Sequence, residues 1–300
     1  MGDRRRPQLV HAQLVIDVSG DGGRSDRVIR DWFESGWRRL GHELRETADA
    51  QAVGASLPEV LCPFGVEVCL ERVTEGGGDD SESDAYTPQE WQRFLGDLSD
   101  GVFKAYSLNA SEREWVDEFN VAVAGGDWIV RQLSIRFTRY EVDGRTLALL
   151  SVLAPRDFLL ADRGREDGLY RFFRDVAEQA GPLFGLIGFD YSGYMTGLEY
   201  ALYLYPWRTI WQVDEVLRGY SWVTVVSDAV VDRLGGVRKV ADGGAFIGVE
   251  RLPAGGWLLR ASAGVADYTP ERAARVFEAL RPVLPAGAYP STFEDDWRPL

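Results

Sequence analysis

The sequence predicts an α+β fold, with helices packed on a mainly antiparallel sheet, and three stretches carry that prediction. In the first, Trp128 to Val142 alternates, placing Leu133, Ile135 and Phe137 on one face and Gln132, Ser134, Arg136 and Thr138 on the other. Asp143-Gly144 then supplies a two-residue hairpin turn, and Arg145 to Leu153 returns as a more apolar strand. In the second, Ile29, Trp32, Phe33, Gly36, Trp37, Leu40 and Leu44 recur at helical spacing, with Arg30, Asp31, Glu34, Arg38 and Glu43 between them. In the third, Trp222 to Val226 is a β-branched strand that runs straight into a helix. There Ser227 serves as N-cap, Asp228 suits the positive end of the helix dipole, and Gly235-Gly236 supplies a left-handed C-cap.

Taken in order, Gln8 to Val18 is an opening strand, broken by the polar, glycine-bearing SGDGGRSD. The amphipathic helix follows, with Trp32 and Trp37 on its core stripe, and Phe64 to Val73 is a second strand, giving a β-α-β start. The stretch EGGGDDSESD that opens at Glu75 is poor in apolar residues and rich in glycine and acid, and reads as a flexible loop over 75–86. Thr87-Pro88 caps and starts a helix that turns Trp91, Phe94, Leu95 and Leu98 inward. Beyond the central hairpin, Asp167 to Ala180 reads as a helix stopped by Gly181-Pro182, and Phe184 to Asp190 as a strand. Pro206 to Gly219 reads as a helix with Trp207, Ile210, Trp211 and Leu217 on one side. Ala245 to Leu252 and Trp257 to Ala263 form a second hairpin, and Thr269-Pro270-Glu271 opens a last helix with Ala273, Val276, Phe277 and Leu280 inward. The tail STFEDDWRPL is polar and is expected to fray. No repeat or linker divides the chain, so 1–300 is expected as a single α+β domain, with two similar halves at 1–118 and 119–300 left open.

Charge narrows the partners. The formal net charge is −14, and residues 75–118 carry 12 acids against 3 bases, which is −9 of that total. A chain this acidic disfavours nucleic acid and anionic membrane, both of which need a basic face. No apolar run reaches the roughly 20 residues of a membrane span, and the basic start leads into an alternating strand, so the expected location is cytoplasmic. Cys62 and Cys69 match neither a redox pair nor a zinc pattern and are expected as free thiols.

The reactive groups form no recognisable centre. The neighbourhoods of Ser19 and Ser192 lack the flanking glycines of a hydrolase elbow, and the glycine-rich pieces lack the spacing that cradles a nucleotide. His11 in a strand and His42 in a helix belong to no zinc motif, and Asp79, Asp80, Glu82 and Asp84 lack the spacing of a calcium loop. No catalytic residue, metal ligand or cofactor is therefore assigned.

The second half of the chain, over about residues 120–285, resembles the type VI immunity family. The resemblance rests on Pro182-Leu183-Phe184-Gly185-Leu186-Ile187-Gly188-Phe189, on Ser221-Trp222-Val223-Thr224-Val225-Val226-Ser227 with Leu234-Gly235-Gly236, and on the closing helix at Leu280-Arg281-Pro282. It marks Trp222, Ser227, Gly235 and Gly236 as structural residues. It implies an antitoxin-like protein that occludes a cognate toxin. The charge pattern adds an expectation of its own: Asp79, Asp80, Glu82 and Asp84 would face a basic surface on that toxin. A homo-oligomer is left open. Two other classes stand beside this reading: an enzyme with a pocket built from scattered Trp, Tyr and Arg residues, and a scaffold or phage-defence accessory.

Overall fold

The computed structural model describes residues 9–20, 22–54, 66–74, 81–98, 103–112, 132–190, 198–199, 202 and 205–286. Its elements are β1 (Leu9–Asp17), α1 (Gly22–Arg39), α2 (His42–Ala52), β2 (Val66–Val73), β3 (Ser81–Ala85), α3 (Pro88–Asp97), β4 (Ala105–Glu112), β5 (Gln132–Val142) and β6 (Arg145–Pro155). Then come α4 (Arg156–Leu160), α5 (Arg163–Ala180), β7 (Phe184–Asp190), α6 (Pro206–Thr209), β8 (Val223–Val226), α7 (Asp228–Arg233), α8 (Val237–Asp242), β9 (Gly248–Arg251), β10 (Trp257–Arg260) and α9 (Pro270–Leu280). Ten strands hydrogen-bond in the order β3-β2-β4-β5-β6-β1-β7-β8-β10-β9, and each registered pairing is antiparallel, so the fold is α+β. The chain forms two compact units. Among the described residues, the first takes those of Asp21–Arg139 and Leu150–Phe172; the second takes those of Leu9–Gly20, Tyr140–Leu149 and the chain from Phe173 onward.

In the first unit, the inward rows of β2, β4 and β5 meet the apolar stripes of α1 and α3. Trp32, Phe33, Trp37, Phe94, Leu108, Ile135 and Phe137 are all fully buried there. Aromatic rings bind this core together: Phe94 packs edge-on against Phe33 at 5.2 Å and Tyr106 at 5.6 Å, and Trp32 lies 4.8 Å from Phe172. Such pairs add directionality to the area that large rings bury. Thr87 accepts from the Glu90 N–H with Pro88 in the first turn, as its sequence context predicts.

In the second unit, β1 pairs with β7 from Leu9↔Asp190 to Val15↔Phe184, and β7, β8, β10 and β9 follow. A side chain at Gly185 would bring its Cβ to 2.9 Å from the Gln13 carbonyl oxygen, so this close pairing requires glycine. Thr269 caps α9, which buries Ala273, Val276 and Leu280.

Four expectations change. The GGRSD segment is the start of α1 rather than a break, because Val28 is buried and draws the preceding turn into the helix. The apolar stripe expected to run on to Leu44 crosses two helices, divided at Gly41, where an added Cβ would strike the Trp37 ring. Residues 81–85, expected in the acidic loop, form β3; residues 75–80 lie outside the described residues. The helix expected over 206–219 stops after α6 and a single 3-10 turn at Ile210–Gln212, leaving Trp211 47% exposed. There the Leu217 N–H bonds the distant Val283 carbonyl instead of continuing a helix.

Candidate functional site

The acidic border of the first unit is built on β2, β3 and α3. Asp79 and Asp80 lie outside the described residues; Glu82 and Asp84 are on β3, where the register sets Glu82 opposite Arg72 and Asp84 opposite Leu70. Those pairings turn both carboxylates to the face on which Arg72 is buried. The Arg72 guanidinium donates from Nη1 to Asp84 Oδ2 at 2.7 Å and from Nε to Asp97 Oδ2 at 2.8 Å, and it lies 5.4 Å over the Phe94 ring. Arg93, on the exposed side of α3, donates to the same Asp84 oxygen at 2.6 Å and pairs with Glu90 at 2.8 Å. The hydrogen bond from Arg72, followed by that from Arg93, holds the Asp84 carboxyl below the usual carboxylate range. Asp84 is thereby committed to tying β3 onto β2 and α3. Glu82 is exposed and has no ionic partner among the described residues.

The opposite face of the same strands carries a polar row. Glu71 Oε2 accepts from Ser107 Oγ at 2.7 Å and from Asn109 Nδ2 at 3.1 Å, and Ser134 Oγ donates to Asn109 Oδ1 at 2.7 Å. Cys69 Sγ lies 2.9 Å from Ser83 Oγ. Burial pushes the Cys69 thiol up, with the Ser83 hydrogen bond acting in the other direction, so it is held as a thiol rather than a thiolate. Cys62 lies outside the described residues.

A cavity of about 210 Å³ lies in the same unit where α1 meets α2, lined by Arg39, His42, Glu43, Phe158, Asp162 and Arg165 among others. Arg165 bridges it, donating to Glu43 Oε1 at 3.0 Å and to the Phe158 carbonyl at 3.1 Å while lying over the Phe158 ring. Its volume is below the roughly 300–1,000 Å³ of typical small-molecule sites.

The second unit holds a buried polar cluster. Arg218 and Glu199 form a fully buried ion pair at 2.6 Å, and Thr209 Oγ1 donates to the same Glu199 oxygen at 3.2 Å. Burial first, and then the Arg218 charge, lower the His11 pKa to about 3, so this imidazole is neutral at ordinary pH. Gln13, two residues along β1, is fully buried, and its amide atoms have no hydrogen-bond partner among the described residues. Neither this cluster nor the buried Arg72 was predicted from sequence. Their partners meet only in the fold, and the one available signal was an arginine at an inward position of an otherwise apolar alternation.

The predicted structural residues sit together at β8–α7. Trp222 is buried, and Ser227 Oγ accepts from the Val230 N–H at 3.1 Å while donating to the Asp214 carbonyl at 2.7 Å. Gly235 and Gly236 have φ of +94° and +92°. Among the described residues no group of three or more His, Cys, Asp or Glu is placed to hold a metal, and no helix is long and apolar enough to cross a membrane.

No family model and no curated protein matches the sequence. The structure is similar to that of a Pseudomonas aeruginosa T6SS protein, with a TM-score of 0.52 and 13% sequence identity, over 92% of this chain and 76% of that one. At that identity the likeness shows a shared fold.

Proposed function

We propose that this chain is a cytoplasmic immunity protein of a type VI secretion setting, a binding protein rather than an enzyme. It captures a cognate protein toxin on the acidic border of its first unit and occludes it. The observation that carries the reading is the concentration of charge: −9 of the net −14 falls in residues 75–118, and β3 within that segment presents Glu82 to solvent. Opposed charge on a toxin would steer its approach. The sequence resemblance to the type VI immunity family and the fold shared with a T6SS protein both support the setting.

The test starts with the partner that co-purifies with the protein from its own cell, followed by association kinetics with that partner. The on-rate is expected to fall about tenfold or more between roughly 50 and 300 mM salt. Neutralising Asp79, Asp80 and Glu82 together, with Asp84 kept because Arg72 and Arg93 use it to hold β3, is expected to lower it further at low salt. An on-rate indifferent to both salt and these substitutions removes the acidic border from the interface.

A further inference from the structure

We infer that the partner binds the first unit by adding a basic β-strand of its own to the outer edge of β3. This deepens the reading just given and rests on it. β3 ends the strand order and, among the described residues, pairs with β2 alone. The register decides which backbone groups remain. The Tyr86 N–H donates to the Val68 carbonyl at 3.0 Å, so the backbone at 86 faces β2. The two-residue alternation of an antiparallel ladder then points the backbone groups of Asp84 and Glu82 at β2 and those of Ser81, Ser83 and Ala85 outward. Val66 agrees: its N–H, on the same parity of β2, points away from β4 to Gln51 Oε1 at 2.8 Å. The edge therefore offers three N–H groups and three carbonyls in strand spacing over about 17 Å, the geometry by which an extended segment joins a sheet.

Side chains select the occupant. Ser81, Ser83 and Ala85 are small and exposed and leave the edge open to approach. Glu82 is exposed on the other face, where a lysine or arginine directly across an added strand would meet it. A second copy of this chain is the wrong occupant, because two β3 edges would set Glu82 and Asp84 against their own counterparts. The competing role for such charges is to guard a bare edge against any strand. That role predicts rejection of basic and acidic strands alike.

The experiment titrates two eight-residue peptides into the full-length, isotope-labelled protein, one alternating lysine with valine and one alternating glutamate with valine. The lysine peptide is expected to slow hydrogen exchange at the Ser81, Ser83 and Ala85 amides by about tenfold or more; the glutamate peptide leaves them unchanged. Ala85→Pro removes one outward N–H and spares the bond from Tyr86 to Val68, whose amide signal reports that β3 is still paired; this variant is expected to lose the lysine-peptide effect. Strand addition is overturned if the three amides stay unprotected with the lysine peptide, if Ala85→Pro responds like the parent, or if the amides become protected by raising protein concentration alone. If the co-purified partner binds with the expected salt dependence but leaves these amides exchanging freely, the acidic border stands and strand addition fails. If its binding ignores salt, the border reading itself fails.

Discussion

Arg218 and Glu199 are both fully buried, and neither charge can turn to water if the other is removed. Arg218→Met is therefore expected to destabilise the protein by about 3–5 kcal/mol, because it removes the positive charge paired with the buried Glu199 carboxylate. Replacing Glu199 by Met as well is expected to recover most of that loss, since a well-packed apolar pair avoids the desolvation of both ions. Urea denaturation of the two single variants and the double variant measures the difference, and a double variant no more stable than Arg218→Met alone refutes the account. His11 adds a pH dependence of known sign. Its folded pKa is lowered to about 3 from an ordinary value of 6.5, so between those values the unfolded chain binds a proton that the native chain refuses. Stability then falls as pH drops from 6.5, by roughly 1.5 kcal/mol on reaching pH 5. His11→Asn is expected to flatten that limb in denaturation midpoints measured across the range; an unchanged slope assigns the acid sensitivity elsewhere. Asp84 acts in a lower window. Its depressed pKa contributes stability above the ordinary carboxylate value, and that contribution is lost only as pH falls through the folded value.

At the scale of elements, β8 and α7 join through interactions that their own sequence encodes. Ser227 caps α7 and also holds the Asp214 carbonyl, so Ser227→Ala is expected to cost about 1–2 kcal/mol. Gly236→Ala is expected to cost about 1 kcal/mol or more; a Cβ there has open space, and the penalty comes from a φ of +92°. Thermal unfolding of each variant checks these values, and a Gly236→Ala protein as stable as the parent would contradict the backbone argument. Elements of this kind were readable in advance. Thr87, Ser227 and Thr269 each cap the helix predicted after them, and Asp143-Gly144 makes its turn with φ of 51° and 78°. β3 was not readable, because SESDA has loop composition and is held as a strand by Arg72 and Arg93 acting on Asp84 from other elements. The 206–219 segment misled in the opposite direction. Ile210, Val213 and Leu217 are buried at helix-like spacing, yet the helix ends after α6 and the 3-10 turn, the Leu217 N–H bonds the distant Val283 carbonyl, and Trp211 is left outside. The candidate border was legible as a charge excess, while the split between a committed Asp84 and an exposed Glu82 depends on a buried arginine that composition does not reveal.

For the whole molecule, the order of segments within each unit bears on how the chain can be divided. The first unit needs Asp21–Arg139 and also Leu150–Phe172. A cut between 118 and 119 separates β4 from β5, which are registered from Ala105↔Thr138 to Ser111↔Gln132. It also takes Ile135, Phe137 and Phe172 away from the core that Trp32 and Phe94 line. The fragment 1–118 would leave β4 as a bare edge beside uncovered aromatic side chains, and the area lost is large against the few kcal/mol by which domains are stable. It is expected to retain helical circular dichroism, bind a hydrophobic dye and give poorly dispersed amide spectra. A fragment covering 21–180 restores β5, the segment 150–172 and the whole of α5, and is expected to show dispersed amides with slow exchange along β2 and β4. Native-like protection of β4 in the 1–118 fragment would mean that this half folds on its own and that β5 and Phe172 contribute far less than their burial implies.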